Sequence, residues 1–425
     1  MERCTLKRKI ISTLVLTLTL SFINPLLTLD AKAEAAPPTL SGKAAISIDG
    51  QTGEIIYAQN IDQKMYPAST TKLMTALLFA ENKKKEDVIP YTESAKKQPQ
   101  YSLNTNFKPI AIGETMSAQD VMKALMLFSA NDSAYMIADS VANNSAEFIK
   151  LMNEKAKALN LKGTNFVTPN GLHDDNHYTT AYDLALIQKA AYENPWVKET
   201  IGIKKDSIRT SAGTVIIVEN RNKLLGKDGN IGGKTGSTTP AGKCLTSVYE
   251  RDGRTIIGVV LKSVYDKDDT FVFNDMEKLV NWSFEAKPTT LFKKDTAIKT
   301  VPLEYKLFRF FGPTKTIEVP LVLKEDMVYY DNEINKKETT KDVQLNNLNP
   351  WKLTKDAKAA TLVVSERNTT KKADLYSEIS SKEIIKANRL VYIVSSLGAI
   401  IVLIVLALLI AKISTMSRRR RRRRY

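Results

Sequence analysis

Apolar residues change their spacing several times along this chain, and each change marks an element. Ala44-Ala45-Ile46-Ser47-Ile48-Asp49 predicts a strand, Gly53 a turn, and Glu54-Ile55-Ile56-Tyr57-Ala58 the returning strand. After Pro67 the spacing turns helical, with Leu73 and Leu77, and Met74 and Leu78, four apart. Residues 118–160 keep helical spacing in an Ala- and Leu-rich stretch, and Thr180-Ala181-Tyr182-Asp183 is a capping pattern that opens another helix. From Thr214 the texture becomes β, in Val215–Val218, Cys244–Val248 and Thr255–Leu261. Asp275 to Glu285 predicts a closing helix. Strands, a block of helices and then strands in antiparallel style argue for an α+β fold in which one sheet carries helices.

Composition shifts at Ala286-Lys287-Pro288, after which short alternating runs such as Thr316-Ile317-Glu318-Val319-Pro320-Leu321 lack helical spacing. A catalytic-sized domain over 34–285 is therefore expected, then a small β-rich domain over 286–365 and a polar, Lys-rich stalk over 366–390. Val391–Ala411 contains no charge; at about 1.5 Å per residue such a helix spans about 31 Å, one hydrocarbon core. Residues 412–425 form a tail holding Arg418–Arg424, and the positive-inside rule puts it in the cytoplasm and the bulk of the protein outside, at the cell membrane. At the other end, basic residues precede an apolar run from Ile10 to Leu29 and Ala31-Lys32-Ala33 follows. This predicts a secretory signal peptide over 1–33, with an uncleaved anchor as the competing reading.

Topology also explains the charge. Of the net +16, the first 33 residues supply three and residues 412–425 supply eight, so the stretch between is only +5. A nucleic-acid partner needs a basic stripe on the folded domain, and none is expected. Cys4 leaves with the signal, so Cys244 stands alone in an apolar stretch, where a buried inert thiol is expected.

Three short motifs carry the chemistry: Ser69-Thr70-Thr71-Lys72, Ser129-Ala130-Asn131 and Lys234-Thr235-Gly236. They offer a hydroxyl nucleophile with a lysine one turn away, a second hydroxyl with an amide, and a cationic strand, which suits acyl transfer without histidine. Ser94-Ala95-Lys96-Lys97 has the same spacing as the first motif but sits in a charged stretch. Ser69, in turn, also suits the N-cap of the helix it opens. Lys72 must be neutral to take the serine proton, so burial and a second cation, for which Lys234 is the natural candidate, are expected to lower its pKa. Gly233-Lys234-Thr235 does not close a phosphate loop, because the residue five before Gly233 is Asp228. His173 and His177 flank Asp174 and Asp175 without a third distant ligand, so no metal is expected, and no cofactor.

The motifs in this order resemble those of the penicillin-recognising serine acyl-enzymes. Pro67-Ala68-Ser69-Thr70-Thr71-Lys72-Leu73-Met74-Thr75, Thr164–Leu172, Thr179-Thr180-Ala181, Asn220–Leu225 and Ala241–Leu245 narrow the resemblance to low-molecular-mass D-alanyl-D-alanine carboxypeptidases. It covers about residues 41–285. It implies an antiparallel sheet flanked by helices with an all-helical subdomain, then a small all-β domain. It also implies that Ser69 attacks the penultimate D-Ala carbonyl with Lys72 as base, and that Ser129 relays a proton to the leaving amine. Asn131 would hold the substrate amide; Lys234 and Thr235, with Gly236 and Ser237 beside them, would bind the terminal carboxylate, and the N–H groups of Ser69 and Ser237 would form the oxyanion hole. Peptidoglycan stem peptides and β-lactams are the implied partners. Ala130 stands where the subfamily often has Gly, and Ser237 where an aromatic residue or His is common; the family also often attaches by an amphipathic C-terminal helix rather than a span. A transpeptidase, a β-lactamase or a silent wall-binding scaffold are the alternatives. The lactamase reading lacks the Glu-x-x-Leu-Asn pattern near Asp174 and Asp175.

Overall fold

A five-stranded antiparallel sheet organises residues 36–285 of this computed structural model, which describes residues 36–422. The expected signal peptide lies outside the described residues. The strands are β1 (Ala44–Asp49), β2 (Ile55–Gln59), β3 (Asn230–Thr238), β4 (Gly242–Arg251) and β5 (Arg254–Ser263), in the order β2-β1-β5-β4-β3. Alternation decides which face each side chain covers. Ala44, Ile46 and Ile48 of β1, with Ile257, Val259 and Leu261 of β5, face a large core. Ala45, Leu245, Tyr249 and Val260 face a smaller core on the opposite side.

Helices close both faces. The larger core is covered by α1 (Lys72–Asn82), α2 (Ala118–Lys123), α3 (Asn131–Ala142), α4 (Ser145–Ala158), α5 (Ala181–Glu193) and α6 (Pro195–Ile201). The Thr180 hydroxyl accepts from Asp183 N and caps α5, as its pattern predicts. On the other face lies α7 (Thr270–Glu285), which starts five residues before the expected Asp275 because the Asp266 carboxylate accepts from Thr270 N at 2.8 Å. Its Val272, Met276, Leu279 and Val280 are buried, each worth roughly 1.5–3 kcal/mol of transfer free energy.

The second domain is a sheet of β6 (Ala297–Lys306), β7 (Thr314–Val322), β8 (Thr340–Leu345), β9 (Lys358–Glu366) and β10 (Thr369–Ser377), ordered β6-β7-β10-β9-β8. The stalk expected over 366–390 is absent: β10 is the central strand, followed by a short helix α8 (Lys382–Ala387) that buries Ile384. Only one face of β10 is covered, so Leu375 and Ser377 turn inward while Lys372 points out, and the segment reads as polar. Arg389–Arg422 then forms one long helix, α9, long and apolar enough to cross a membrane.

Side chains lock the second domain onto β2, the edge strand of the first. Asn332 and Asn335 each donate Nδ2–H to the Ile55 carbonyl at 2.9 Å, which satisfies part of an exposed sheet edge. Lys371 pairs with the buried Glu54 at 2.7 Å. From the β9–β10 turn, Arg367 grips Asp62 bidentately at 2.6 and 2.7 Å and also reaches Glu338.

Candidate active site

Between Pro67 and α1 the backbone makes a 3-10 turn, Ala68–Thr71. In that geometry residues three apart eclipse, so Lys72 lies over Ser69. Its Nζ is 2.9 Å from Ser69 Oγ, 2.9 Å from Asn131 Oδ1 and 2.7 Å from the Asn170 carbonyl. The last two partners only accept. A neutral amine gives its two protons to them and turns its lone pair to the Ser69 hydroxyl, the arrangement a general base needs. Asn131 Nδ2 donates to Gln100 O at 2.9 Å, which fixes its Oδ1 toward the lysine. Ser69 makes no capping bond to α1 or its 3-10 turn, so the N-cap reading falls away.

Ser129 reaches the site through a backbone irregularity. Residues 124–128 form a π turn after α2, and Ser129 closes it in the left-handed region with φ of 71°. Ala68 and Tyr101, which border the same site, also have positive φ, at 49° and 65°. Non-glycine residues in that region cost of order 1–3 kcal/mol each and concentrate where geometry is imposed by function. Ala130 sits at φ −59°, where no glycine is required. The Ser129 hydroxyl accepts from Lys234 Nζ at 2.9 Å, and the ammonium also donates to Thr235 O at 3.0 Å.

Strand β3 brings Lys234, Thr235, Gly236 and Ser237 alongside the 3-10 turn. A Cβ on Gly236 would stand 3.0 Å from Ser69 N and 2.9 Å from Pro67 O, so only glycine lets the two backbones meet there. The result is a cleft of about 330 Å³ lined by Ser69, Ser129, Asn131, Thr235, Gly236 and Ser237. All eight sequence-predicted residues meet here; Lys72 and Lys234 are the buried pair beneath the lining, 0% and 2% exposed.

Burial is the main force on both lysines. It brings Lys72 down to about 7, with the Arg221 charge adding to the effect and the Asp132 carboxylate opposing it. Arg221 thus acts on Lys72 as a further cation that the sequence did not point to, beside the Lys72–Lys234 repulsion that it did. Lys234 is itself held well below its usual range by burial, then by Lys72 and Arg221. Arg221 stacks on the rings of Tyr101 and Phe128, 4.8 Å from each centroid, and lines the cleft. Its role and that of the Asn170 carbonyl were missed in the sequence, although both lie in stretches that carry the resemblance. Gly171 was a usable signal: its φ is 81°, and a Cβ there would meet the Ala68 carbonyl at 1.9 Å.

The other candidates take structural places. Ser94 lies in a short helix, Glu93–Lys96, and donates to Asp139, while Lys97 is exposed beside Glu93. His177 Nδ1 accepts from Val167 N and Thr168 N, which leaves Nε2–H to donate to Thr71 Oγ1 at 2.8 Å. Burial lowers that imidazole to about 4. Cys244 donates weakly to Tyr66 O and Ala241 O, and burial raises its thiol to about 11, as an inert residue requires.

Over residues 31–264 the chain matches the family described as D-alanyl-D-alanine carboxypeptidase. It is 28% identical over 306 residues to the D-alanyl-D-alanine carboxypeptidase DacF of Bacillus subtilis, covering 71% of this chain and 76% of that protein. To DacC of Escherichia coli it is 33% identical over 282 residues, covering 64% and 68%. Among solved structures, the DD-transpeptidase of Streptomyces K15 superposes with a TM-score of 0.54 at 27% identity, over 59% of this chain and 99% of that one. DacD of Francisella tularensis shares the fold over 81% of this chain and 94% of its own, with a TM-score of 0.59 at 21% identity.

Proposed function

The chain belongs to the D-alanyl-D-alanine carboxypeptidase family and is a serine enzyme of that class; from that premise we propose that Ser69 is its nucleophile and Lys72 its base. The observation that carries this assignment is the buried Lys72 amine, 2.9 Å from Ser69 Oγ and bonded otherwise only to two acceptors. Lys72 takes the Ser69 proton as Oγ adds to the carbonyl of the penultimate D-Ala. Ser129, with Lys234 behind it, passes a proton to the departing D-Ala nitrogen as the C–N bond breaks. Water then adds to the ester and Ser69 recovers its proton, releasing the shortened stem peptide.

The terminal carboxylate sits against Lys234, Thr235 and Arg221. In the free site Lys234 is held low by burial, then by Lys72 and Arg221, and an arriving carboxylate offsets that cost. Asn131 holds the substrate amide, and the N–H groups of Ser69 and Ser237 receive the oxyanion, supported by the close approach of β3 to the 3-10 turn at Gly236. β-Lactams, whose ring amide occupies the same place, acylate Ser69. α9 spans the cell membrane with its arginines in the cytoplasm and the cleft outside.

Labelling with fluorescent penicillin tests the assignment. The full chain and Ser94→Ala should label, and Ser69→Ala should not. Labelling that survives in a folded Ser69→Ala protein would refute it.

A further inference from the structure

Residues 307–313, which join β6 to β7, carry Phe308-Arg309-Phe310-Phe311-Gly312 at the tip of the hairpin. Phe310 is 82% exposed and Phe311 67%. The turn is nonetheless well built: Leu307 N donates to Pro313 O and Phe308 N to Phe311 O, both at 3.1 Å, and the rings of Phe308 and Phe311 stack at 5.1 Å. Two bare phenylalanines on an ordered turn form an apolar surface that water does not favour.

The hairpin is also bolted to α9. Tyr392 donates its hydroxyl to the Leu307 carbonyl at 2.7 Å, and its ring meets Phe308 edge-on at 5.9 Å. One turn earlier, at the joint between α8 and α9, buried Asn388 donates to Tyr305 Oη at 2.8 Å and accepts from Lys315 Nζ at 2.7 Å. Both strands of the hairpin therefore grip the joint that opens α9, and the hairpin turn grips its first turn. Tyr392 is the third residue of the uncharged run that begins at Leu390, just after Arg389. Whatever depth that residue takes in a bilayer, the Phe308 ring takes with it.

We propose that Phe310 and Phe311 insert into the interfacial layer of the bilayer that α9 crosses, on the side of the folded domains; this rests on reading α9 as a membrane span. Aromatic rings favour that layer, and Lys306, Arg309, Lys315 and Arg389 lie on the same elements with charges suited to lipid phosphate. Arg309 covers the Phe310 ring at 5.3 Å, so ring and cation arrive together. A single span leaves the ectodomain free to rotate and tilt about its axis. A second contact beside it sets the height and direction of the catalytic cleft over the membrane.

The full chain reconstituted in phospholipid vesicles tests this, with Phe310→Trp and Leu403→Trp each read against the parent to subtract its native tryptophans. Emission added by Phe310→Trp should be blue-shifted and quenched by lipids brominated near the headgroup. Emission added by Leu403→Trp should be quenched by lipids brominated deep in the chains. Deep quenching at 403 with water-like, unquenched emission at 310 overturns the insertion alone. Loss of quenching at 403 removes the span, and the insertion with it.

Discussion

Protonating Lys72 should switch off acylation over a pH range that its surroundings set. With a pKa of about 7, the free-base fraction is about one half at pH 7 and about one per cent at pH 5, so the second-order rate of acylation falls roughly fiftyfold between them. A lysine at its ordinary 10.5 would be only about 0.03% free base at pH 7, and the rate would keep rising about tenfold per unit to pH 10. The two profiles separate cleanly. The assay is the rate of fluorescent-penicillin labelling from pH 5 to 9, with circular dichroism confirming the fold at each point; the penicillin carboxylate stays ionised throughout.

Arg221→Ala provides the sharper arm. Removing a cation that disfavours protonated Lys72 should raise the Lys72 pKa and move the acid limb to higher pH. Acylation at pH 7 then drops while the plateau is reached at higher pH. Arg221→Lys keeps the charge and should keep the limb near its original place. A profile still climbing at pH 9 in the parent, or an acid limb that shifts downward in Arg221→Ala, would refute the electrostatic account.

Three further outcomes follow from geometry away from the reacting atoms. Gly171→Ala places a methyl 1.9 Å from the Ala68 carbonyl at φ of 81°, so a thermal melt should show a loss of about 2–4 kcal/mol together with loss of labelling. His177 has a folded pKa of about 4 against 6.5. The unfolded chain binds the extra proton in that window, so stability is full above pH 6.5 and falls toward pH 4 by roughly 3 kcal/mol; urea midpoints should show the slope, and His177→Gln should flatten it. Arg367→Ala leaves Asp62 and Glu338 without their shared guanidinium, at a cost of roughly 1–3 kcal/mol. Proteolysis between the domains, near residues 286–296, should speed up while Ser69 labelling stays unchanged.

Which features the sequence exposed follows from the range of the forces involved. Ser69 and Lys72 are three apart, and both 3-10 and α geometry put such residues on one side. Strands β1, β4 and β5 are legible as short, largely apolar runs because they sit between two apolar layers. Arg221 was opaque for the opposite reason: its meaning arises only when the chain before β3 folds against Tyr101 and Phe128, over 90 residues upstream. The π turn at 124–128 hid inside helical spacing, because Leu125, Met126 and Leu127 are apolar in either geometry. Strand β10 failed through one-sided burial, since Thr370, Lys372 and Asp374 alternate with the inward residues and mask them.

The same layout bears on what happens after Ser69 is acylated by a β-lactam. A lactamase that clears its ester quickly needs a base aimed at the hydrolytic water. Among the described residues lining the cleft the only carboxylate is Asp269, and it pairs with Lys243 at 2.5 Å. Asp132 lies wholly buried, accepting from Tyr91 Oη, Asn104 N and Ser133 N. Asp174 and Asp175 do not line the cleft; Asp174 caps Asn176 N, and Asp175 accepts from Tyr66 Oη. On the proposed assignment, deacylation then falls to Lys72 and Ser129 again, the groups that serve acylation. A peptide acyl group, whose D-Ala leaves, opens a path for water to them. A β-lactam leaves its amine tethered where that water must enter, so its ester should outlast the peptide's. Chasing labelled protein with excess unlabelled penicillin should show label retained far longer than one turnover on a D-Ala-D-Ala peptide, and release as fast as that turnover would contradict the shared-base argument.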